Sequence, residues 1–556
     1  MLWTAAFLFF SSCLLFSKKV RLVFLSRINR KTNFDINAHL TQKFFAYFFT
    51  KKVSFRLQNA FFCVKMKGLF IDLLGRRIMS EKALKKHEID MTEGKLFPKI
   101  FAFAVPLILT SILQLLFNSA DMIVVGKFVG NNAVGAVGST GSLNALLTNF
   151  AIGLSVGAGV VLAGAFGAKN AEYGDTVLHT SMVVSVIAGV IFGAVGFFVA
   201  RPLLGVMGTP DVQLNDAATY LEIVCLGCPF SMVYNFGASM LRATGDTKRP
   251  LIYLTAAGVI NIIVNIVTVV CFNMGVAGVA IATVFSQAVS AILVVITLIK
   301  NKGFIRLSFK KLKINGRALG EIMRLGVPTG LQSTLFNISN VLLQSAVNSF
   351  GSDVVNGCSL ASQIEGYVYA IMASISATAL TAVGQNYGAR DYKRIRRCVW
   401  ISVAFVSIAG LVAGGLAVAF HTPLCKIFMN GNGDPEDTQR IISYAFEKLA
   451  IIGGTYFLDG IMEVVTYSLR GVGYSITSML IVLVGTCVFR IFWIYVVFPL
   501  YKQLWFLFML YPLSWAITMT VAWIWLAVVM NKDEKKLAAR LAAEQSETAP
   551  TSAENA

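Results

Sequence analysis

PLILTSILQLLFNSADMIVVG (residues 106–126) is an almost unbroken apolar run with one acid, Asp121, inside it. About 20 apolar residues in a helix cross the ~30 Å hydrocarbon core of a bilayer. A carboxylate at the centre of such a helix costs roughly 2.5–3.5 kcal/mol on insertion scales, and residues of this kind mark ion or substrate paths by default. Two readings of Asp121 follow: a functional acid in a protein-lined cavity, or a buried acid satisfied by neighbouring amides such as Asn118. Pro106, at the start of the run, removes a backbone hydrogen bond and favours a kink.

The composition around this stretch is that of an integral membrane protein. Mean hydropathy is +0.70 and only 14% of residues are charged, against about 25% in soluble domains. The nine cysteines are scattered. Cys225 and Cys228 have no second pair or histidine cluster near them, so they read as packing residues and no metal site is expected. Residues 1–78 differ from the rest: they hold 14 of the 42 phenylalanines and 14 Lys+Arg against two Asp+Glu, which is +12 of the total +20. This basic Phe-rich extension looks like translated upstream sequence, with Met79 as the expected natural start and Met66 or Met91 as alternatives. The competing reading is a basic arm drawn to anionic lipid. The remaining charge of +8 is ordinary for an inner-membrane protein, and no nucleic-acid partner is expected.

Twelve spans are expected, near 99–126, 138–165, 177–200, 215–241, 251–272, 277–299, 320–349, 355–385, 398–420, 438–468, 474–498 and 505–530. The loops after even-numbered spans hold 17 Lys+Arg and those after odd-numbered spans hold 4. The positive-inside rule then places both termini in the cytoplasm. The polar tail, residues 531–556, reads as a short helix passing into disorder.

An internal repeat organises the chain. FAVPLIL at Pro106 matches RLGVPTGL at Pro328, GAFGAKN at Gly167 matches GQNYGARD at Gly388, and MLRATGDTK at Arg242 matches SLRGVGYS at Arg470, with offsets of 222, 221 and 228 residues. Six spans per unit bring both halves into the membrane in the same direction, related by a pseudo-two-fold axis along the membrane normal. The organisation is an N-terminal six-helix lobe (79–299), a basic cytoplasmic linker (300–317) and a C-terminal six-helix lobe (318–530). Such an axis encloses a central cavity, with Pro106 and Pro328 as hinges for rocking between access states.

In these motifs the chain resembles the multidrug and toxic compound extrusion (MATE) transporters over about residues 95–530. The resemblance is carried by VPLILTSILQLLFNSADMIVVGKFVG, GLSVGAGVVLAGAFGAKN and LRATGDTKRP in the first half. In the second half it is carried by VPTGLQSTLFNISNVLLQSAVNSFG, GQNYGARD and LRGVGYS. It implies an all-α membrane fold of twelve helices in two lobes. The implied activity is antiport, exporting organic, often cationic, compounds against inward H⁺ or Na⁺. The implied coupling residues are Asp121 in span 1, Asn261 and Asn265 in span 5, and Asp459 in span 10. Where members carry Asp at the second span 5 position this chain has neutral Asn265, and where many carry Glu in span 7 it has Phe336 and Asn337. The coupling ion is the sole cofactor-like species implied, with Na⁺ held at Asp121 or Asp459. The partners are small organic substrates and the bilayer, and the protein is expected to be a monomer.

Other buried charges extend the candidate site. Asp459 and Glu463 are i, i+4 on one helix face and can share a cavity. Glu463 has two readings, a cavity acid or the partner of Arg490 deep in span 11. Glu365 lines the outer cavity or bonds a neighbour's backbone. Glu222, Glu447 and Lys448 sit near span ends, where snorkelling into water explains them. An enzyme is not expected: the four histidines form no HExxH, and neither a P-loop nor a Gly-x-Ser-x-Gly nucleophile turn is found. The alternative within transport is a lipid-linked oligosaccharide flippase. Twelve spans and one deep arginine, Arg490, weigh against it.

Overall fold

A computed structural model describes residues 88–429 and 435–548. The basic extension and the expected start at Met79 lie outside the described residues. The helices of the first lobe are α1 (Leu96–Phe128), α2 (Asn131–Gly167), α3 (Ala171–Val206), α4 (Asp211–Leu226), α5 (Cys228–Ala243), α6 (Lys248–Ile266) and α7 (Gly275–Lys300). The second lobe holds α8 (Gly316–Asn348), α9 (Ser352–Gly388), α10 (Tyr392–Ala419), α11 (His421–Phe428) and α12 (Pro435–Gly471). It continues through α13 (Ser475–Val482), α14 (Phe489–Phe492), α15 (Leu504–Phe508) and α16 (Leu510–Thr548).

Ten of the described helical stretches are long and apolar enough to cross a membrane, and α4 with α5, bent by 48° at Gly227, makes up to an eleventh. The twelfth expected span is α8. It is a continuous 33-residue helix, but Arg317, Glu321 and Arg324 open it and Gln332, Ser333, Asn337, Asn340 and Gln344 run along it. Those five polar side chains line a cavity, which explains how a helix at the lobe interface is less apolar than its neighbours. Pro106 and Pro328 both sit inside unbroken helices.

The repeat recurs in backbone geometry. Gly130 and Gly351 (φ 121° and 99°) precede α2 and α9, and Lys169 and Arg390 (φ 54° and 59°) follow them. Asn170 then accepts from Tyr173 N to start α3, as Asp391 accepts from Arg394 N to start α10. Gly245 and Gly473 (φ 96° and 88°) end α5 and α12 in the left-handed region, where a side chain would be strained.

The lobes meet at the end where α1 and α8 begin and α2 and α9 finish. A Cβ at Gly167 would overlap the Gln385 carbonyl, and one at Gly388 would overlap the Gly164 carbonyl. These two contacts exchange under the repeat offset, as a pseudo-two-fold axis requires. Gly153 and Gly157 lie equally close to the backbone of Gly330 and Gly326 on α8; small residues let helices in lipid approach closely. Polar contacts brace the same end: Tyr173 Oη donates to Glu321 Oε2 at 2.6 Å, and Gln385 Nε2 donates to the Ala243 carbonyl at 2.9 Å. The Gln385 side chain also accepts from Met91 N at 2.9 Å.

The linker is docked, with Ile305 and Leu307 buried and Ser308 N donating to His179 Nε2 at 3.0 Å. The expected short helix of the tail is the end of α16, which continues through KKLAARLAAEQ to Thr548, a run of strong helix formers; residues 549–556, where loss of order was expected, lie outside the described residues. The polar part of α16 is held by Arg396–Glu534 at 2.7 Å and by Tyr387 Oη on Asp533 Oδ2 at 3.2 Å.

Candidate substrate and ion site

Each lobe contributes a cavity, one of about 480 Å³ on the first lobe and one of about 460 Å³ on the second. Tyr467 of the second lobe reaches the wall of the first cavity, and Asn149 of the first lobe reaches the wall of the second.

In the first cavity, α1 presents Asn118 and Asp121 toward α6. Asn265 Nδ2 donates to Asp121 Oδ1 at 2.5 Å and is also placed 3.2 Å from Asn261 Oδ1. Asn261 and Asn265 are buried, while Asp121 is partly open to the cavity. Between the two readings of Asp121, the amide that satisfies it is Asn265, reached across 144 residues of sequence, and not its helical neighbour Asn118. The carboxylate still borders open volume. A π-helical turn, Val267–Cys271, begins two residues after Asn265. Such turns recur at functional sites because the extra residue re-aims the side chains around it. Thr268, within it, donates to the Gly278 carbonyl at 3.0 Å and fixes α6 to α7. Arg242 and Tyr234 line the same cavity.

The second cavity collects Glu365, Asp459, Glu463 and Arg490, together with Phe336 and Asn337. Glu463 does not pair with Arg490. Its Oε1 accepts from Tyr369 Oη at 3.0 Å and its Oε2 is buried without a hydrogen-bond partner. Glu365 lines the cavity, as one of its two readings had it, and its close contact is a lysine. Lys448 Nζ lies 3.2 Å from its Oε2 and also donates to Ser362 Oγ at 2.6 Å. This corrects the snorkelling reading of Lys448, which is 5% exposed. In the sequence reading it lies near a span end, but α12 begins at Pro435 and carries Lys448 inward by more than three turns.

Two arginines beyond Arg490 also border the cavities. Arg470 is buried with its guanidinium 4.4 Å from the Tyr467 ring centroid, and Arg242 is its repeat counterpart in the first lobe. Their positions at helix C-terminal ends hid them from a reading based on span centres; the matched LR pairs were the available signal. GLSVG at residues 153–157 has Gly-x-Ser-x-Gly spacing, but it lies within continuous α2. Ser155 Oγ donates to the Ile152 carbonyl at 2.7 Å, and the flanking glycines pack on α8. It is a packing motif and forms no nucleophile turn.

The MatE family model matches residues 106–267 and 328–496, one stretch in each lobe and together more than half of the chain. The chain is 28% identical over 394 residues to the probable multidrug resistance protein YoeA of Bacillus subtilis (strain 168), covering 69% of this chain and 84% of that one. It is 30% identical over 308 residues to the probable multidrug resistance protein YpnP of the same organism, covering 55% and 68%. A solved structure of a multidrug resistance MATE family transporter of the MOP superfamily, in an outward-facing conformation, superposes with a TM-score of 0.75 at 20% identity. That match covers 81% of this chain and 99% of the other.

Proposed function

This chain belongs to the MatE family of membrane transporters, and from that premise we propose that it exports organic compounds, often cationic, in exchange for H⁺ or Na⁺ by alternating access. The observation that carries the reading is the Asp121–Asn265–Asn261 chain on the wall of a cavity of about 480 Å³. The acid is held from one side by an amide and open on the other, the arrangement a coupling ion needs to enter and leave. Binding of H⁺ or Na⁺ removes a buried net charge and lets α1 repack about Pro106. An ion drives that change only as far as its differential affinity for the two arrangements, about 1.4 kcal/mol per tenfold ratio. Asp459 is the second candidate for ion binding, and Glu463, Glu365 and Asn118 line the substrate volume.

Lobes sealed at the end carrying the basic loops, with termini in the cytoplasm, correspond to an outward-facing state of a protein in the cytoplasmic membrane. The chain acts as a monomer and takes no cofactor besides the coupling ion. The relatives named for multidrug resistance support export of compounds over the flippase alternative. Uptake of a fluorescent cationic dye into everted vesicles, with ΔpH and a Na⁺ gradient imposed separately, tests the proposal. One of the two gradients is expected to drive accumulation; accumulation indifferent to both would overturn it.

A further inference from the structure

The second lobe does not repeat the acid of the first. The offset of 222 residues that carries Pro106 onto Pro328 carries Asn118 onto Asn340 and Asp121 onto Leu343. Where the first lobe sets a carboxylate against span 5, the second sets a cation, Arg490, on the matching span against α8. Its side chain is 0% exposed and borders the cavity of about 460 Å³. Two π-helical segments, Leu483–Val488 and Trp493–Val497, flank the short helix that bears it.

The guanidinium has one hydrogen bond, two neighbouring rings and two nitrogens left without a partner. Nη1 donates to Asn340 Oδ1 at 3.1 Å. Two rings lie against it, Phe336 at 5.0 Å and Tyr511 at 4.6 Å from its central carbon to the centroids, within cation–π range. Nε and Nη2 are buried without a hydrogen-bond partner. These two nitrogens are the side-on edge of the guanidinium, whose parallel N–H bonds match the two oxygens of a carboxylate. Asp459 lies within its electrostatic reach, but neither free donor is hydrogen-bonded to it. A buried cation with two unpaired donors is costly, and a ligand oxyanion would satisfy both at once.

We propose that Arg490 anchors a carboxylate-binding subsite in the second cavity, and that the compound it takes is a flat aromatic acid whose ring packs on the aromatic wall of Tyr456, Tyr511 and Trp515. Asn340, Phe336 and Tyr511 hold the guanidinium in register for that ligand. The proposal rests on the second cavity being a substrate volume. It adds that the cavity selects for an anionic group, although the acids Glu463 and Asp459 lie beside it.

The test is equilibrium binding, by calorimetry, of 2-naphthoate and its neutral isostere 2-naphthamide to the purified, detergent-solubilised full chain. Naphthoate is expected to bind at least tenfold more tightly than naphthamide. Arg490→Gln is expected to bring the two within about twofold, and Asp459→Asn, which removes a nearby negative charge, to tighten naphthoate alone. Asn340→Asp offers the guanidinium an internal carboxylate; it is expected to erase the preference and serves if Arg490→Gln does not fold. Equal binding of the two probes to the parent protein, or a preference that survives both Arg490→Gln and Asn340→Asp, overturns the subsite. Binding of neither probe overturns it together with the reading of the second cavity as a compound site. Gradient-driven dye export needs neither result, so failure here is distinguishable from failure of the export proposal.

Discussion

Asp121 and Asn265 lie 144 residues apart in sequence and share a hydrogen bond of 2.5 Å, so the acid's environment is set by another helix and not by its own. Its partner came from motif resemblance; the choice among Asn118, Asn261 and Asn265 needed the rotation of α1 against α6, which no local pattern encodes. Lys448 and Glu365 form a buried pair of the same non-local kind. Removing one member leaves an uncompensated buried charge, typically costing 3–5 kcal/mol. Lys448→Met is expected to lower thermal stability by about that much, and adding Glu365→Leu to restore most of it; a Lys448→Met protein as stable as the parent would show that the pair is not buried. Outside the membrane, burial pushes the Glu88 carboxyl above its ordinary value of 4.5, with the Arg249 guanidinium opposing the rise. The raised value means that the folded state favours the protonated form. The resulting stability is present below the unfolded value and is lost as pH rises through the folded one. Glu88→Gln is therefore expected to raise the melting temperature at about pH 7.5 and to leave it unchanged near about pH 4; an equal gain at both would assign the effect to packing.

At the scale of elements, helices and their order were legible because apolar runs, prolines and left-handed glycines mark them locally. Two features were not. α8 is less apolar than a lipid-facing span because its polar side chains border a cavity. α4 and α5 read as one span but bend at Gly227, where an added Cβ would crowd Val284 on α7. The α2–α8 seam depends on glycines whose Cβ would overlap facing backbone, Gly157 against Gly326 above all. Gly157→Ala is expected to loosen the sealed end. In a background without native cysteines, maleimide labelling of Thr329→Cys, 4% exposed in the parent, should then accelerate at least tenfold; an unchanged rate would mean the seam tolerates the methyl group.

For the whole molecule, three short motif pairs were enough to reveal the pseudo-two-fold arrangement, because matched turns recur with matched backbone geometry at Lys169 and Arg390 and at Gly245 and Gly473. The asymmetry between the lobes was harder to read, since it lies in which side chains the cavities gather and not in the order of spans. Topology follows from loop charge: cysteines placed in 300–317 are expected to resist external labelling while those in 350–354 react, and external access to the linker would invert the arrangement. In the proposed mechanism Asp121 couples ion entry to export. Its most direct test is dye accumulation in proteoliposomes under an imposed ΔpH or Na⁺ gradient, comparing the parent with Asp121→Asn and measuring dye binding by both. The variant is expected to fold and bind dye but not to concentrate it under either gradient. Concentration of dye by Asp121→Asn with unchanged ion dependence would contradict it.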